Sequence, residues 1–254
     1  MKRQEYKSIF ISDLHLGSRA SDGDIICDFL KKHSAENLFL VGDIIDGWRL
    51  KQSWYFPQEH INVIRRILTE SKRGTNVYYI IGNHDEVLRK YLDPHISLGN
   101  IEIHNEYSYE ALNGQKYLVI HGDKFDQLML NKKWLMHLGD TLYGVAVWLN
   151  IHLNTIRRIF GMEYWSLSNW LKQRTKQAVN YIHRYEDHVA EYCTNNDYDG
   201  IICGHIHFPE MKTIGGIEYI NDGDLCESYT AVVETYDGKF QMLKYVKGNW
   251  VVHK

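Results

Sequence analysis

The stretch Ile9-Phe10-Ile11-Ser12-Asp13-Leu14-His15-Leu16-Gly17 reads as a buried strand that stops at a carboxylate and an imidazole two residues apart. An apolar run closed by a glycine fits a parallel-sheet strand covered on both faces. Beyond the strand the chain turns, and Asp13 and His15 can then point into the crevice past the sheet. Open α/β sheets place their ligands there. A hard oxygen donor beside an imidazole nitrogen suits Mn, Fe or Zn better than Ca or Mg. A lone Asp-x-His pair sits equally well in a solvated loop, so the reading depends on four further stretches of the same design.

The second is Asn37-Leu-Phe-Leu-Val-Gly42-Asp43-Ile-Ile-Asp46-Gly-Trp48. A strand again runs into a glycine, which permits a tight turn where a side chain would block a ligand. Asp43 is the candidate ligand and Asp46 lies just beyond it. The third is Val77-Tyr-Tyr-Ile-Ile-Gly82-Asn83-His84-Asp85, the fourth Lys116-Tyr-Leu-Val-Ile-His121-Gly122-Asp123, and the fifth Gly200-Ile-Ile-Cys-Gly204-His205-Ile-His207.

Amphipathic helices separate the early strands. Asp24 to Lys32 and Ile61 to Leu68 show helical apolar spacing, and Lys72-Arg-Gly-Thr supplies a basic last turn with a glycine C-cap. The alternation implies βαβ units and a largely parallel sheet. Ile101 to Leu112 reads as strand-like and Asn113-Gly114 as a hairpin turn. Met211 to Ile220, Thr230 to Thr235 and Phe240 to Lys247 read as closing antiparallel strands, turned at Gly215-Gly216 and Asp237-Gly238.

Residues 125 to about 190 differ. Leu135, Leu138, Leu142, Val145, Leu149 and Leu153 share one helical face, and Val147, Trp148 and Ile151 make the opposite face apolar too. A second helix carries Leu167, Trp170, Leu171, Ala178, Val179 and Ile182, interleaved with Lys172, Arg174 and Lys176. A helix apolar all round is usually buried in protein. The sharper expectation is a helical cap insertion that meets lipid or an acyl chain while its basic residues meet phosphate. Lys132-Lys133 and Arg157-Arg158 fit either reading.

The chain has 254 residues, a net charge of −3, 14 histidines and four cysteines, at 27, 193, 203 and 226, with no Cys-x-x-Cys pair. The length fits one domain with an insertion. The charge gives no reason to expect nucleic acid. The scattered cysteines suggest reduced thiols in a cytoplasmic protein rather than a disulfide frame. No stretch approaches the roughly 18 apolar residues of a membrane helix, and the N-terminal apolar run is too short for a signal peptide.

Asp13, His15, Asp43, Asn83, His121, His205 and His207 together are about the right number of donors for two adjacent metal ions. These motifs resemble the calcineurin-like metallophosphoesterases. Asp13-Leu-His15, Gly42-Asp43, Gly82-Asn83-His84-Asp85, His121-Gly122-Asp123 and Gly204-His205-Ile-His207 follow in that family's order over residues 8 to about 235. The resemblance implies an α/β fold, an α+β sandwich of four layers, here with the helical cap inserted. It implies that Asp13, His15 and His207 bind one divalent ion, that Asn83, His121 and His205 bind the other, and that Asp43 bridges them. Manganese is the expected metal, with iron and zinc as alternatives. A hydroxide between the ions would be the nucleophile. His84 would stand beside the ions, protonating the leaving oxygen or stabilising the transition state, with Asp46 as its orienting partner. Asp222 and Asp224 resemble a structural loop that follows the last histidine motif.

The size, the insertion and Gly42-Asp43-Ile-Ile-Asp46-Gly-Trp48 look like the UDP-2,3-diacylglucosamine pyrophosphatases. Those enzymes cut a lipid A precursor at the cytoplasmic face of the inner membrane and hold its acyl chains under the cap. The implied substrate is that nucleotide- and lipid-linked pyrophosphate, with peripheral contact between cap and membrane. Lys172, Arg174 and Lys176 are candidate phosphate contacts. In one respect the chain departs: that branch typically carries Arg after Gly-Asn, where this sequence has His84. The alternatives are a phosphodiesterase or phosphatase for a soluble nucleotide or phosphoprotein and, remotely, a metal-free scaffold. No oligomeric state is implied.

Overall fold

The structure is a computed structural model. It describes residues 3–92, 97–98, 100–128 and 167–253, and the side chains at 91, 97–98, 127–128 and 167–179 are outside that description. The chain divides into two compact units, residues 1–123 with 189–254, and residues 124–188.

Two sheets form the first unit. Its strands are β1 (Gln4–Ile11), β2 (His33–Val41), β3 (Asn76–Ile80), β4 (Ser97–Leu98), β5 (Ile101–His104), β6 (Glu106–Glu110) and β7 (Lys116–Ile120). They continue with β8 (Gly200–Cys203), β9 (Glu210–Ile214), β10 (Ile217–Asn221), β11 (Thr230–Glu234), β12 (Phe240–Val246) and β13 (Asn249–Val252). The larger sheet has the order β13-β12-β11-β1-β2-β3-β5-β4 and the smaller β6-β7-β8-β10-β9.

Side chains alternate across a strand, and β1 shows why its whole run is apolar. Ile9 and Ile11 face one way, into a core shared with Ile26, Phe29 and Leu30 of α1 (Gly23–Lys32) and Val63 and Ile67 of α3 (Gln58–Lys72). Between those helices lies the short α2 (Gly47–Gln52). Phe10 faces the other way, into the core between the sheets, where it stacks on Phe39 at 4.7 Å and meets Tyr109 edge-on at 5.5 Å. Asp22 caps α1 by accepting from the Asp24 and Ile25 amides. α3 ends at Gly74, whose φ of +100° is the left-handed C-cap conformation expected there.

β1, β2, β3 and β5 are parallel, as the alternation implies, and β11 and β12 pair antiparallel, as expected of the closing strands; β13 and β4 also extend that sheet antiparallel. Two expectations change. The segment 101–112 is two strands, not one. β5 pairs with β3 in the larger sheet and β6 with β7 in the smaller. Ile101, Ile103 and Tyr109 are all buried, so the odd positions stay inward across the break and the alternation hides the change of sheet. β13 was not expected at all, because its mostly exposed residues show no buried face.

In the second unit, α4 (Asp123–Leu128) begins at the boundary and α5 (Leu167–Asn195) runs through it. Tyr181 donates to Asp126, and Phe125 meets Tyr185 edge-on at 6.0 Å. Residues 129–166, with the expected apolar face at 135–153 and the paired cations at 132–133 and 157–158, lie outside the described residues.

Candidate metal centre

Five parallel strands deliver the motif residues to one end of the sandwich. β1, β2 and β3 bring Asp13, His15, Asp43 and Asn83 from the larger sheet. β7 and β8 bring His121, His205 and His207 from the smaller. Both sheets of the sandwich therefore supply donors, in keeping with the four-layer fold that the motifs imply. The loops after β1 and β2 run on side by side: the amides of Asp13, His15 and Leu16 donate to the carbonyls of Gly42, Asp43 and Ile44 at 3.0, 2.9 and 2.9 Å.

The backbone is strained where it presents these groups. Asp13, His15, Asp43, His205 and His207 have φ of 50°, 44°, 53°, 71° and 51°. For residues other than glycine that region costs on the order of 1–3 kcal/mol each and persists only where its surroundings enforce it. Glycines let the neighbouring loops approach closely here. A Cβ on Gly42 would fall 2.3 Å from Cγ of His121, and one on Gly82 would fall 2.2 Å from Oδ1 of Asp43.

Asp13 and Asp43 form the centre. Asp13 Oδ1 lies 3.1 Å from His207 Nε2 and 3.5 Å from His15 Nε2. Asp43 Oδ2 lies 3.3 Å from His121 Nε2. The backbone holds both carboxylates: the His205 amide donates to Asp13 Oδ2 at 3.0 Å and the His84 amide to Asp43 Oδ1 at 2.8 Å. Asp13 with His15 and His207, and Asp13 with Asp43 and His121, are each grouped closely enough to hold one ion. The His205 ring meets the His121 ring edge-on at 5.0 Å.

Polar atoms without partners test whether a cation fits. His121 is fully buried and fixed by Nδ1 on the Val41 carbonyl at 2.9 Å. Its Nε2 has no hydrogen-bond partner, and neither has the buried Oδ1 of Asn83. Burying such atoms unpaired is costly, and a metal ion would satisfy both. The electrostatics agree. Burial pushes the Asp13 carboxyl up, but His207 and His121 outweigh it and hold Asp13 well below the carboxylate range. Burial pulls His121 down, but Asp43 and Asp13 raise it well above the ordinary imidazole value. Burial likewise opposes Asp13 and Asp46 at His15, whose pKa rises to about 10. Carboxylates that stay ionised therefore draw positive charge onto these nitrogens.

His84 stands beside the centre. Its Nδ1 lies 2.9 Å from Asp46 Oδ1 and its Nε2 3.8 Å from Asp43 Oδ2. The Trp48 ring covers it at 4.2 Å with a 31° tilt. Asp46 also caps α2, accepting from the Arg49 amide at 2.9 Å.

Two residues given no role from sequence prove structural. Asp85 accepts from the Ile44 amide, the Gly82 amide and the Tyr79 hydroxyl at 2.9, 2.6 and 2.6 Å, joining two motif loops. Ser12 donates to Asp222 at 2.6 Å, and Asp224 accepts from the Cys226, Glu227 and Ser228 amides. Asp222 and Asp224 thus fit the structural loop expected of them. Lys172, Arg174 and Lys176 fall on α5, but their side chains lie outside the described residues.

The family model for calcineurin-like phosphoesterase matches residues 6–209, which contain every motif described above. The chain belongs to this family. It is therefore a metal-dependent phosphoester hydrolase with the calcineurin-like metallophosphoesterase fold. A UDP-2,3-diacylglucosamine hydrolase of Blochmanniella pennsylvanica is 24% identical over 214 residues, covering 81% of each chain. The protein of the same description from Pectobacterium carotovorum is 23% identical over 250 residues, 95% of this chain and 96% of that one. Among solved structures, Vacuolar Protein Sorting 29 from Cryptosporidium parvum aligns with a TM-score of 0.47 and 12% identity, over 97% of this chain and 94% of that one. Among the described residues no helix is long and apolar enough to cross a membrane.

Proposed function

We propose that this phosphohydrolase uses two divalent ions to split a nucleotide- or lipid-linked pyrophosphate, with UDP-2,3-diacylglucosamine or a close relative as substrate. The observation that carries the two-ion reading is the grouping of Asp13, Asp43 and His121 beside that of Asp13, His15 and His207. Donors from the two sheets meet on adjacent carboxylates, so neither sheet alone makes the site. Asp13, His15 and His207 would hold one ion, Asn83, His121 and His205 the other, with Asp43 shared. Such ions supply Lewis acidity and a water acidic enough to attack phosphorus near neutral pH. Manganese suits the mixed nitrogen and oxygen donors, as do iron and zinc.

The chain's own residues supply orientation and a proton. Asp46 fixes Nδ1 of His84, leaving Nε2 toward Asp43. When water attacks phosphorus and the P–O bond breaks, that Nε2 would give its proton to the leaving oxygen. The substrate assignment is supported by the curated relatives, described as UDP-2,3-diacylglucosamine hydrolases. In it, Lys172, Arg174 and Lys176 would contact phosphate and segment 125–190 would be a cap over the acyl chains, resting on the cytoplasmic face of the inner membrane.

Hydrolysis of UDP-2,3-diacylglucosamine with added Mn, read as UMP release beside bis-p-nitrophenyl phosphate, tests the reading. UMP release by wild type, lost in Asp43→Asn and His205→Ala with the circular dichroism spectrum retained, is the expected result. Cleavage of the small diester alone would reject the lipid substrate and favour a soluble one. Full activity in either variant would reject the two-ion centre.

A further inference from the structure

We propose that Asp46 is a positioning residue for two imidazoles at once, holding His15 with one carboxylate oxygen and His84 with the other. The inference rests on the two-ion reading above, in which His15 is a metal donor.

Asp46 is 3% exposed. Oδ1 takes His84 Nδ1 at 2.9 Å. Oδ2 faces the other way, 3.5 Å from Nδ1 of His15. That nitrogen is buried and has no hydrogen-bond partner, so the second oxygen of Asp46 is the acceptor set before it. At 3.5 Å the contact is at the long limit for a hydrogen bond. A neutral imidazole has one N–H and one lone pair. The His15 nitrogen on the Asp13 side is Nε2. If Nε2 gives its lone pair to an ion, Nδ1 must carry the proton, and Asp46 stabilises that tautomer.

The backbone ties Asp46 to both histidine loops. Its amide donates to the Leu16 carbonyl, next to His15, at 2.9 Å. The following amide, of Gly47, donates to the His84 carbonyl at 3.1 Å. The two rings also meet edge-on, 4.6 Å apart at 82°. One carboxylate thereby sets the orientation of a metal donor and of the proposed proton donor together.

Removing an acceptor behind a metal-bound histidine typically weakens metal binding 10- to 100-fold. A partner of His84 alone would leave metal binding untouched. The full-length chain, stripped of metal, should be titrated calorimetrically with Mn²⁺ as wild type, Asp46→Asn, Asp46→Ser and His84→Asn. Serine keeps a helix N-cap for α2 but reaches neither ring, so the two Asp46 variants guard against misfolding of one. The expected result is two ions on wild type and on His84→Asn with equal affinities. Both Asp46 variants should then bind one of the two ions about 10- to 100-fold more weakly. Unchanged affinities in the Asp46 variants would overturn the proposal and leave the two-ion reading standing. A third ion, lost in the Asp46 variants and in His84→Asn alike, would make His15, Asp46 and His84 an ion site themselves and also overturn it. A wild type that binds no ion would overturn the two-ion reading and this proposal with it.

Discussion

Gly82 packs against Asp43 so closely that a methyl group on it would lie 2.2 Å from Oδ1 and 2.5 Å from the backbone nitrogen of Asp43. The glycine that closes β3 is therefore a wall of the centre. Gly82→Ala would push the shared carboxylate away from His121. Metal affinity is expected to fall more than tenfold, and stability by about 1–3 kcal/mol, the usual cost of overpacking. Calorimetric Mn²⁺ titration and urea unfolding of the apo chain would report the two effects separately. Wild-type values for both would show that the loop gives way freely.

Asp85 holds the loops after β2 and β3 together through two amides and the Tyr79 hydroxyl. Asp85→Ala removes all three bonds and leaves buried donors unpaired. Hydrogen bonds to a charged acceptor contribute about 1.5–3 kcal/mol each, and orphaned donors add to the loss. We expect Asp85→Ala to cost about 3–5 kcal/mol in urea unfolding, and Tyr79→Phe, which removes one bond, about 1–2 kcal/mol. Equal losses in the two variants would mean that the amide bonds contribute little.

The motif residues were legible because each follows an apolar run and has a glycine within a few residues, a pattern that marks a strand end without knowledge of its neighbours. Asp13, His15, Asp43, Asn83, His121, His205 and His207 all lie at such ends. What brings them together was not legible. Ser12 and Asp222 are 210 residues apart, and no local pattern links them. Asp85 reaches across 41 residues to the Ile44 amide, which no local pattern announces. The resemblance implied two sheets, but which strand joins which sheet was hidden for the same reason: strand period records which face is buried, and says nothing of which sheet buries it. Asn105 lies between Ile103 and Tyr109 without changing their phase.

Trp48 is 38% exposed, yet its ring lies on that of His84. If His84 protonates the leaving oxygen, loosening this stack should matter most when that oxygen is a poor leaving group. Trp48→Ala is expected to lower kcat for a pyrophosphate substrate about tenfold, a fraction of the 10²–10⁴ that a positioned acid can contribute. The loss on bis-p-nitrophenyl phosphate should be smaller, and Trp48→Phe should restore most of the rate. The ratio of kcat values on the two substrates is the measurement. An equal loss on both would show that Trp48 does not act through His84.

His33 gives a pH dependence away from the centre. It is 5% exposed, with its Nδ1 on the Phe29 carbonyl at 2.9 Å and its ring packed against Phe29, Tyr6 and Trp250. Burial, with help from Lys32 and Arg3, lowers its pKa below 6.5, against the backbone bond to Phe29 and the charge of Asp28. The folded chain thus binds this proton less readily than the unfolded chain does. Stability from neutral His33 is full above pH 6.5 and is lost as the pH falls from there through the depressed folded value. Between pH 7 and pH 5 the urea midpoint of wild type should therefore fall relative to that of His33→Gln, which cannot titrate, although the midpoint of the variant at pH 7 will be lower because packing is lost. Parallel pH profiles for the two proteins would show that His33 is as easily protonated folded as unfolded.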